Sequence, residues 1–126
     1  MKAPAMDGKA RPLLAGAMLA LLSSNLLQAA DLDRLNDSLA GHVVDFTHNH
    51  GCDRRFYSES LGLARDMYVY LPPGYESAKS YPLILWIHGF GGGEQQFTRQ
   101  VVHSLDESIV SGAMPPVIAV CPDCSV

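Results

Sequence analysis

The stretch from Tyr81 to Val120 constrains the fold more than any other part of this chain. Its first section, 81–88, contains five consecutive apolar residues without polar alternation, which predicts a strand buried on both faces of a parallel sheet. A glycine-rich turn at 89–93 follows, then a predicted helix, and then a second short apolar strand at 117–120. Strand, turn, helix and strand in this order predict one right-handed βαβ unit.

The helix between these strands is predicted to span Glu94–Ser111. An apolar stripe recurs along it every four residues, through Phe97, Val101, Leu105 and Ile109, with Val102 beside them. Gly112 is a suitable stop, and the pair at 115–116 is Pro-Pro, which prevents continuation. His103, Asp106 and Glu107 are predicted to lie on the solvated surface of the helix.

Two strands are predicted before this unit. His42–His50 alternates between two faces, and Arg65–Leu71 alternates with Tyr68 and Tyr70 on one side. Arg55–Ser60 is either a further short strand or a bend, and Asp31–Gly41 is a weak lead-in helix. We therefore expect an α/β fold: the N-terminal part of a larger domain, with four strands and one crossover helix in an incomplete sheet that has an unpaired edge and an uncovered face.

Residues 1–30 have the pattern of a secretory signal peptide. Lys2, Lys9 and Arg11 form a basic start, an apolar run covers 13–22, and small residues end the segment. Cleavage is expected after Ala29 or Ala30. The alternative is a membrane anchor, but polar residues at 23–25 leave fewer than the roughly 20 apolar residues that a span needs. We expect an exported protein, periplasmic or extracellular, whose domain occupies 31–126.

Charge and cysteine content exclude several function classes. The chain of 126 residues has a net charge of −4, and removal of 1–30 leaves 6 basic and 12 acidic residues. An acidic chain without a long basic run is a poor ligand for nucleic acid or for anionic membranes. The three cysteines are Cys52, Cys121 and Cys124, so at most one pair can form a bridge within the chain.

The glycine turn His88–Gly93 is the main candidate site. Glycines between a buried strand and a helix bring backbone N–H groups close to a ligand, either a phosphate or the oxyanion of a tetrahedral intermediate. The dinucleotide fingerprint lacks its last glycine here and the Walker lysine is absent, so the oxyanion hypothesis is the better one. A plain turn that uses glycine for positive φ is the structural alternative.

Several segments together resemble the putative esterase family of α/β-hydrolases, which includes esterase D-like, feruloyl esterase and mycolyltransferase relatives. Tyr68–Tyr75 reads Y-V-Y-L-P-P-G-Y, Tyr81–Gly89 resembles the family's strand ending in His-Gly, and Pro116–Asp123 resembles its P-x-I-V-V-x-P-D strand. Ser60-Leu61-Gly62 is similar to the family's lead segment. The resemblance covers about 41–125, with the pieces in the family's order.

The resemblance implies a serine carboxylic-ester hydrolase that needs no cofactor or metal. By position, the backbone N–H of Phe90 is the expected oxyanion-hole donor, and Gly89 and Gly91 let the loop pass close to the acyl carbonyl. His88 resembles the histidine that supports this loop, not the catalytic base. The expected substrate of the full-length protein is a small-molecule or polysaccharide-linked ester.

The sequence departs from the family in one respect. The nucleophile should lie on a G-x-S-x-G turn, and this pattern occurs nowhere in the 126 residues. The acid and the base histidine should follow that serine. We therefore expect an N-terminal fragment that carries the oxyanion loop and is inactive alone. A non-catalytic exported binding or remnant protein is the alternative.

Two smaller patterns suggest a third class, a thiol or metal protein. His48, His50 and Cys52 alternate along a predicted strand and share a face, which is possible metal-ligand geometry. Cys121 and Cys124 have the C-x-x-C spacing of a redox dithiol, but they follow a strand instead of opening a helix. Trp86, Tyr68 and Tyr70 are expected in the core.

Overall fold

The computed structural model of the protein describes residues 31–47 and 56–125. Its helices and strands follow one another in the chain as α1 (31–37), β1 (His42–Asp45), β2 (Phe56–Ser58), β3 (Leu63–Arg65), β4 (Met67–Leu71), β5 (Leu83–Leu85), a π-helical turn (Phe97–Val101), α2 (Val102–Val110) and β6 (Ile118–Pro122). No helix in the two described ranges has the length and apolarity that crossing a membrane requires.

A four-stranded mixed sheet has the order β1-β4-β6-β5. Strand β4 pairs antiparallel with both β1 and β6, whereas β5 pairs parallel with β6. The crossover helix therefore connects two parallel neighbours, as the apolar-strand, glycine-turn and helix pattern predicted. Strand β5 lies at the edge of the sheet, which agrees with the expected unpaired edge.

The N-terminal strands differ from the sequence-based expectations in detail. The predicted strand Arg65–Leu71 divides at Asp66: β3 ends before it and pairs with β2 in a separate hairpin, and β4 begins after it. The strand predicted over His42–His50 ends at Asp45, and 48–50 lie outside the described residues. Tyr68 and Tyr70 share the buried face of β4, as their alternation predicted.

The core lies on the face of the sheet against which the helices pack. Its buried side chains come from β1, β4, β6, the residue before β6 and the crossover helix: Val43, Tyr68, Tyr70, Phe97, Val102, Ile109, Val117, Ala119 and Cys121. Trp86 packs against this cluster, with its ring centroid 5.7 Å from that of Phe97. The expected core positions of Trp86 and the two tyrosines are therefore confirmed.

The second face of the sheet is apolar but remains accessible to solvent. Side chains that alternate with the core positions form it: Val44, Met67, Val69, Leu71, Leu83, Leu85, Ile118, Val120 and Pro122. The prediction that 81–88 is buried on both faces is wrong, because Leu83, Leu85 and Ile87 are 66%, 61% and 52% exposed. A parallel strand normally has both faces covered, and here the described helices pack on the first face only.

The crossover helix starts with a π-helical turn, which changes which of its residues are buried. A regular helix would bury the stripe through Val101 and Leu105, but the buried residues are Phe97, Val102, Asp106 and Ile109. A π turn adds one residue per turn, so the positions after it are rotated by one residue relative to the sequence pattern. Gly112 ends the helix with φ 76°, as predicted.

This rotation places Asp106 in the interior, so the prediction that it is solvated is wrong, whereas Glu107 is exposed as predicted. The Asp106 carboxylate accepts hydrogen bonds from the N–H of Ala40 (2.9 Å), the N–H of Gly41 (2.7 Å) and the hydroxyl of Tyr70 (2.8 Å). The helix is thereby attached to the segment that enters β1. Burial opposes ionisation of Asp106, but these three donors outweigh it and lower its pKa.

Gly41 is expected to be intolerant of a side chain. A Cβ built on it would lie 2.6 Å from the carbonyl oxygen of Leu71 and 2.6 Å from the Tyr70 hydroxyl, and the Leu71 carbonyl is held in the sheet. We expect Gly41→Ala to lower the free energy of unfolding by about 1–3 kcal/mol, as overpacking does. Urea unfolding followed by circular dichroism measures this change.

The matched control for that variant is Gly89→Ala. No atom of the described structure lies within 4 Å of a Cβ placed on Gly89, so its unfolding free energy should change by no more than about 0.5 kcal/mol. Equal destabilisation by the two substitutions would contradict the steric explanation for Gly41.

Candidate oxyanion loop

The loop His88–Gly93 leaves the end of β5 and leads into the crossover helix. The N–H of Gly92 donates to the carbonyl of Gly89 over 3.0 Å, which closes a four-residue turn with Phe90 and Gly91 in its central positions. Gly91 has φ 70°, as the third residue of a type II turn requires. All four predicted site residues, from His88 to Gly91, therefore belong to one short and accessible segment.

His88 attaches this turn to the end of β6. Its ring is buried, and Nε2 lies 3.0 Å from the N–H of Cys124, which can only donate. Nε2 is therefore the acceptor, and the ring proton is on Nδ1, 3.0 Å from the carbonyl oxygen of Gly89. This neutral ring contacts both the loop and the end of β6.

The orientation of the Phe90 N–H follows from these contacts. The Gly89 carbonyl accepts from both Gly92 and His88, so the peptide plane between Gly89 and Phe90 is fixed. In a trans peptide the N–H points away from the C=O, so the Phe90 N–H is directed away from both donors. It has no acceptor within the described ranges, and no described atom lies within 4 Å of a Cβ on Gly89 or Gly91.

The sequence reasoning missed the residues that anchor the other side of this loop. Asp123, just after β6, is buried, and its Oδ1 accepts from the N–H of Ser125 over 2.9 Å. Its Oδ2 lies 3.5 Å from Nη1 of Arg65, and its Oδ1 lies 3.7 Å from Nε2 of His88. The sequence offered one signal for this pair. Each residue lies at the end of a predicted strand, next to an apolar run.

The arrangement is suited to stabilising a negative oxygen with a backbone N–H. A preoriented N–H acts on charge that develops on a carbonyl oxygen without reorganising during the reaction. Phe90 also presents a fully exposed ring beside its own N–H. An acyl group whose carbonyl oxygen accepts from this N–H would lie within reach of the ring.

The alternative thiol and metal sites gain no support from the described residues. Within 31–47 and 56–125, no group of three or more His, Cys, Asp or Glu side chains could hold a metal ion. His48, His50 and Cys52 lie outside these ranges, so the metal hypothesis for that face stays untested. Cys121 and Cys124 are both free thiols, the first buried and the second exposed.

The environments of the two cysteines predict different reactivity. Burial raises the pKa of the Cys121 thiol to about 12, so almost no thiolate is available at pH 7. We expect iodoacetamide to label Cys124 in the native chain, and Cys121 only after denaturation, measured by peptide mass spectrometry. Rapid native labelling of Cys121 would contradict the buried position and revive the dithiol hypothesis.

Comparison with known proteins assigns the fold. Residues 58–123, more than half of the chain, match the sequence model of the family described as "Putative esterase". The chain belongs to this esterase family. The resemblance noted from the Y-V-Y-L-P-P-G-Y, His-Gly and P-D segments is thereby confirmed.

Solved structures similar to this esterase-family chain agree. One, of a protein designated FAE, has a TM-score of 0.52 at 30% identity and covers 68% of this chain and 28% of its own. A serine-to-alanine variant of the feruloyl esterase module from Clostridium thermocellum, complexed with sinapinate, has a TM-score of 0.50 at 30% identity over 64% and 26% of the two chains. A ferulic acid esterase with 24% identity and a TM-score of 0.54, over 66% and 31%, supports the fold alone.

The esterase-family chain therefore spans less than a third of the length of these structures. Its four-stranded sheet and single crossover helix correspond to part of an α/β-hydrolase sheet, which confirms the predicted fold class. The catalytic roles expected for Phe90, Gly89, Gly91 and His88 stay predictions.

Proposed function

We propose that this chain forms the oxyanion-loop section of an exported serine carboxylic-ester hydrolase. The observation that carries the proposal is the Phe90 N–H, which points away from the two groups that fix the Gly89 carbonyl. Membership of the esterase family supports ester hydrolysis as the chemistry. The similar feruloyl esterase module complexed with sinapinate, at 30% identity, suggests an ester of a hydroxycinnamic acid, small or linked to a polysaccharide, as the substrate.

In this proposal the chain contributes electrostatic stabilisation and not the nucleophile. A serine supplied by sequence outside the 126 residues attacks the ester carbonyl, and the carbonyl oxygen becomes negative as the tetrahedral intermediate forms. The Phe90 N–H donates to this oxygen, and the loop contacts of His88 keep the N–H in place. The intermediate then releases the alcohol, and water hydrolyses the acyl-serine by the reverse sequence of proton transfers.

The exposed apolar face of the sheet supports the idea that this chain acts as part of a larger domain. Leu83, Leu85 and Ile87 at the β5 edge are each more than half exposed. Soluble proteins rarely leave an apolar surface of this kind uncovered. Further strands and helices of a complete hydrolase domain would cover this face and extend the sheet.

The first experiment is to sequence the DNA beyond codon 126 in all three forward frames and to assay both polypeptides. We expect no saturable hydrolysis of p-nitrophenyl acetate or methyl ferulate by the 126-residue chain. We expect hydrolysis by a longer product that contains G-x-S-x-G, followed by an acid and a histidine. Saturable turnover by the 126-residue chain alone would refute the proposal that the nucleophile lies outside it.

The other outcome of the sequencing favours the alternative function. If a stop codon follows Val126 and no nucleophile turn lies beyond it, a non-catalytic exported binding protein becomes the better hypothesis. Export is tested separately by fractionating cells that express the chain and by determining the mass of the mature product. A product that starts at Ala30 or Asp31 in the periplasm or medium is the expected result.

A further inference from the structure

The end of β6 forms a small clamp next to the oxyanion loop. Asp123 Oδ1 accepts from the N–H of Ser125 (2.9 Å), and its own N–H donates to the carbonyl of Asp66 (2.9 Å). Cys124 lies in this turn, between Asp123 and Ser125, and its N–H donates to Nε2 of His88. Ser125 Oγ additionally lies 3.5 Å from the carbonyl oxygen of Gly92, on the far side of the loop.

The negative charge of Asp123 opposes the role of Nε2 of His88 as a hydrogen-bond acceptor. The Asp123 carboxylate lies 3.7 Å from Nε2, and a nearby anion favours a proton on that nitrogen. A proton there would turn Nε2 from an acceptor into a donor that faces the Cys124 N–H. The ring would keep its contact with Gly89 only if Nδ1 were protonated as well.

Arg65 is the cation that counteracts this effect. Its side chain is 6% exposed and that of Asp123 is 7% exposed, and Nη1 lies 3.5 Å from Asp123 Oδ2. Nε and Nη2 of Arg65 have no acceptor among residues 31–47 and 56–125. The guanidinium thus lies beside the carboxylate that faces His88, and the residue after Arg65 is a second buried acid, Asp66.

We propose that Arg65 and Asp123 are positioning residues that keep His88 in the neutral Nδ1–H tautomer and thereby fix the direction of the Phe90 N–H. Asp123 presents the Cys124 N–H to Nε2, and Arg65 neutralises the carboxylate so that this nitrogen stays unprotonated. Nδ1–H then donates to the Gly89 carbonyl, which sets the peptide plane. The catalytic consequence rests on the proposed oxyanion function, whereas the tautomer itself does not.

The tautomer can be measured in the 126-residue chain by long-range ¹H–¹⁵N correlation with ¹⁵N-labelled histidine at pH 7. The chain has five histidines, and His88→Gln identifies the signals of His88 by their loss. We expect the wild-type ring to show an unprotonated Nε2 and a protonated Nδ1. A wild-type ring with its proton on Nε2 overturns the proposal without further variants.

Two pairs of variants separate positioning from simple stabilisation. Asp123→Asn keeps an oxygen for the Ser125 N–H and should retain the Nδ1–H pattern, whereas Asp123→Ala should lose it. Arg65→Lys should retain the pattern, whereas Arg65→Met should show protonation of Nε2. The double variant Arg65→Met/Asp123→Asn should recover the Nδ1–H pattern, because the uncompensated carboxylate is gone.

The double variant is the decisive test. Loss of a buried residue that merely supports folding would not be repaired by a second buried substitution, so recovery of the tautomer supports positioning. An unchanged tautomer in Asp123→Ala and Arg65→Met, or a failure of the double variant to recover it, overturns the proposal. If the tautomers behave as expected but Phe90 proves irrelevant to hydrolysis in an active longer polypeptide, the proposed function fails while this inference stands.

Discussion

Asp106→Ala is expected to lower the free energy of unfolding by about 3–6 kcal/mol, enough to unfold much of a small domain. The substitution leaves the N–H groups of Ala40 and Gly41 and the buried hydroxyl of Tyr70 without their acceptor. A hydrogen bond to a charged group contributes about 1.5–3 kcal/mol, and three are lost, one of them at the buried Tyr70 hydroxyl. Urea unfolding followed by tryptophan fluorescence measures the loss, since Trp86 packs against the core.

The neighbouring residue provides the control for this prediction. Glu107 is exposed on the same helix, so Glu107→Ala should change stability by no more than about 0.5 kcal/mol. Asp106→Asn keeps an acceptor oxygen and should cost less than Asp106→Ala. Similar effects of Asp106→Ala and Glu107→Ala would show that the buried position of Asp106 is wrong.

The lowered pKa of Asp106 also predicts a pH dependence. A carboxyl whose pKa is lower in the folded than in the unfolded state contributes stability above its unfolded pKa, about 3.9, and loses it as the pH falls through the folded value. The wild-type unfolding free energy should therefore decrease below about pH 4. The decrease should be smaller in Asp106→Asn, which has no carboxyl at this position to titrate.

Phe90→Pro is expected to reduce kcat by about 10²–10³-fold in a longer, active polypeptide that contains this chain, the usual effect of removing one oxyanion donor. Proline has no N–H, so the substitution removes the proposed donor itself. The turn should survive, because Phe90 occupies the second position of a turn with the geometry of type II, where proline is favoured. Steady-state kinetics with methyl ferulate and p-nitrophenyl acetate measure the effect.

Phe90→Ala is the matched control, because it removes the exposed ring and retains the N–H. It should leave kcat for p-nitrophenyl acetate within a few-fold of the wild-type value, since acetate has no aromatic group for the ring to contact. If Phe90→Ala and Phe90→Pro reduce this kcat equally, the side chain and not the backbone is responsible, and the oxyanion assignment is incorrect.

Much of the fold follows from local patterns in the sequence. Strands were predicted over Arg65–Leu71 and Val117–Val120, where β4 and β6 largely lie, because alternation and apolar runs reflect burial directly. The burial of β5 on both faces was predicted incorrectly for a tertiary reason. The apolar run shows that both faces of the strand are suited to burial. In the described residues, other elements pack against only one of these faces.

The candidate site was predicted in part. His88, Gly89, Phe90 and Gly91 could be located because the glycine cluster and its position after a strand identify the loop. Arg65, Asp123 and Asp106 could not, because their partners lie far away in the chain. Asp106 is 66 residues from Ala40, to which it accepts a hydrogen bond, and no local periodicity encodes such a contact.

The π-helical turn Phe97–Val101 is equivalent to a one-residue insertion in the helix. Deleting one residue within it would restore a regular helix and leave Val102 and the residues after it facing the same way, because the deletion removes the residue that the wider turn accommodates. Asp106 would therefore still face the core and hold the segment before β1 in the shortened helix. In an alignment with family members that have a regular helix at this position, the gap therefore belongs between Phe97 and Val102.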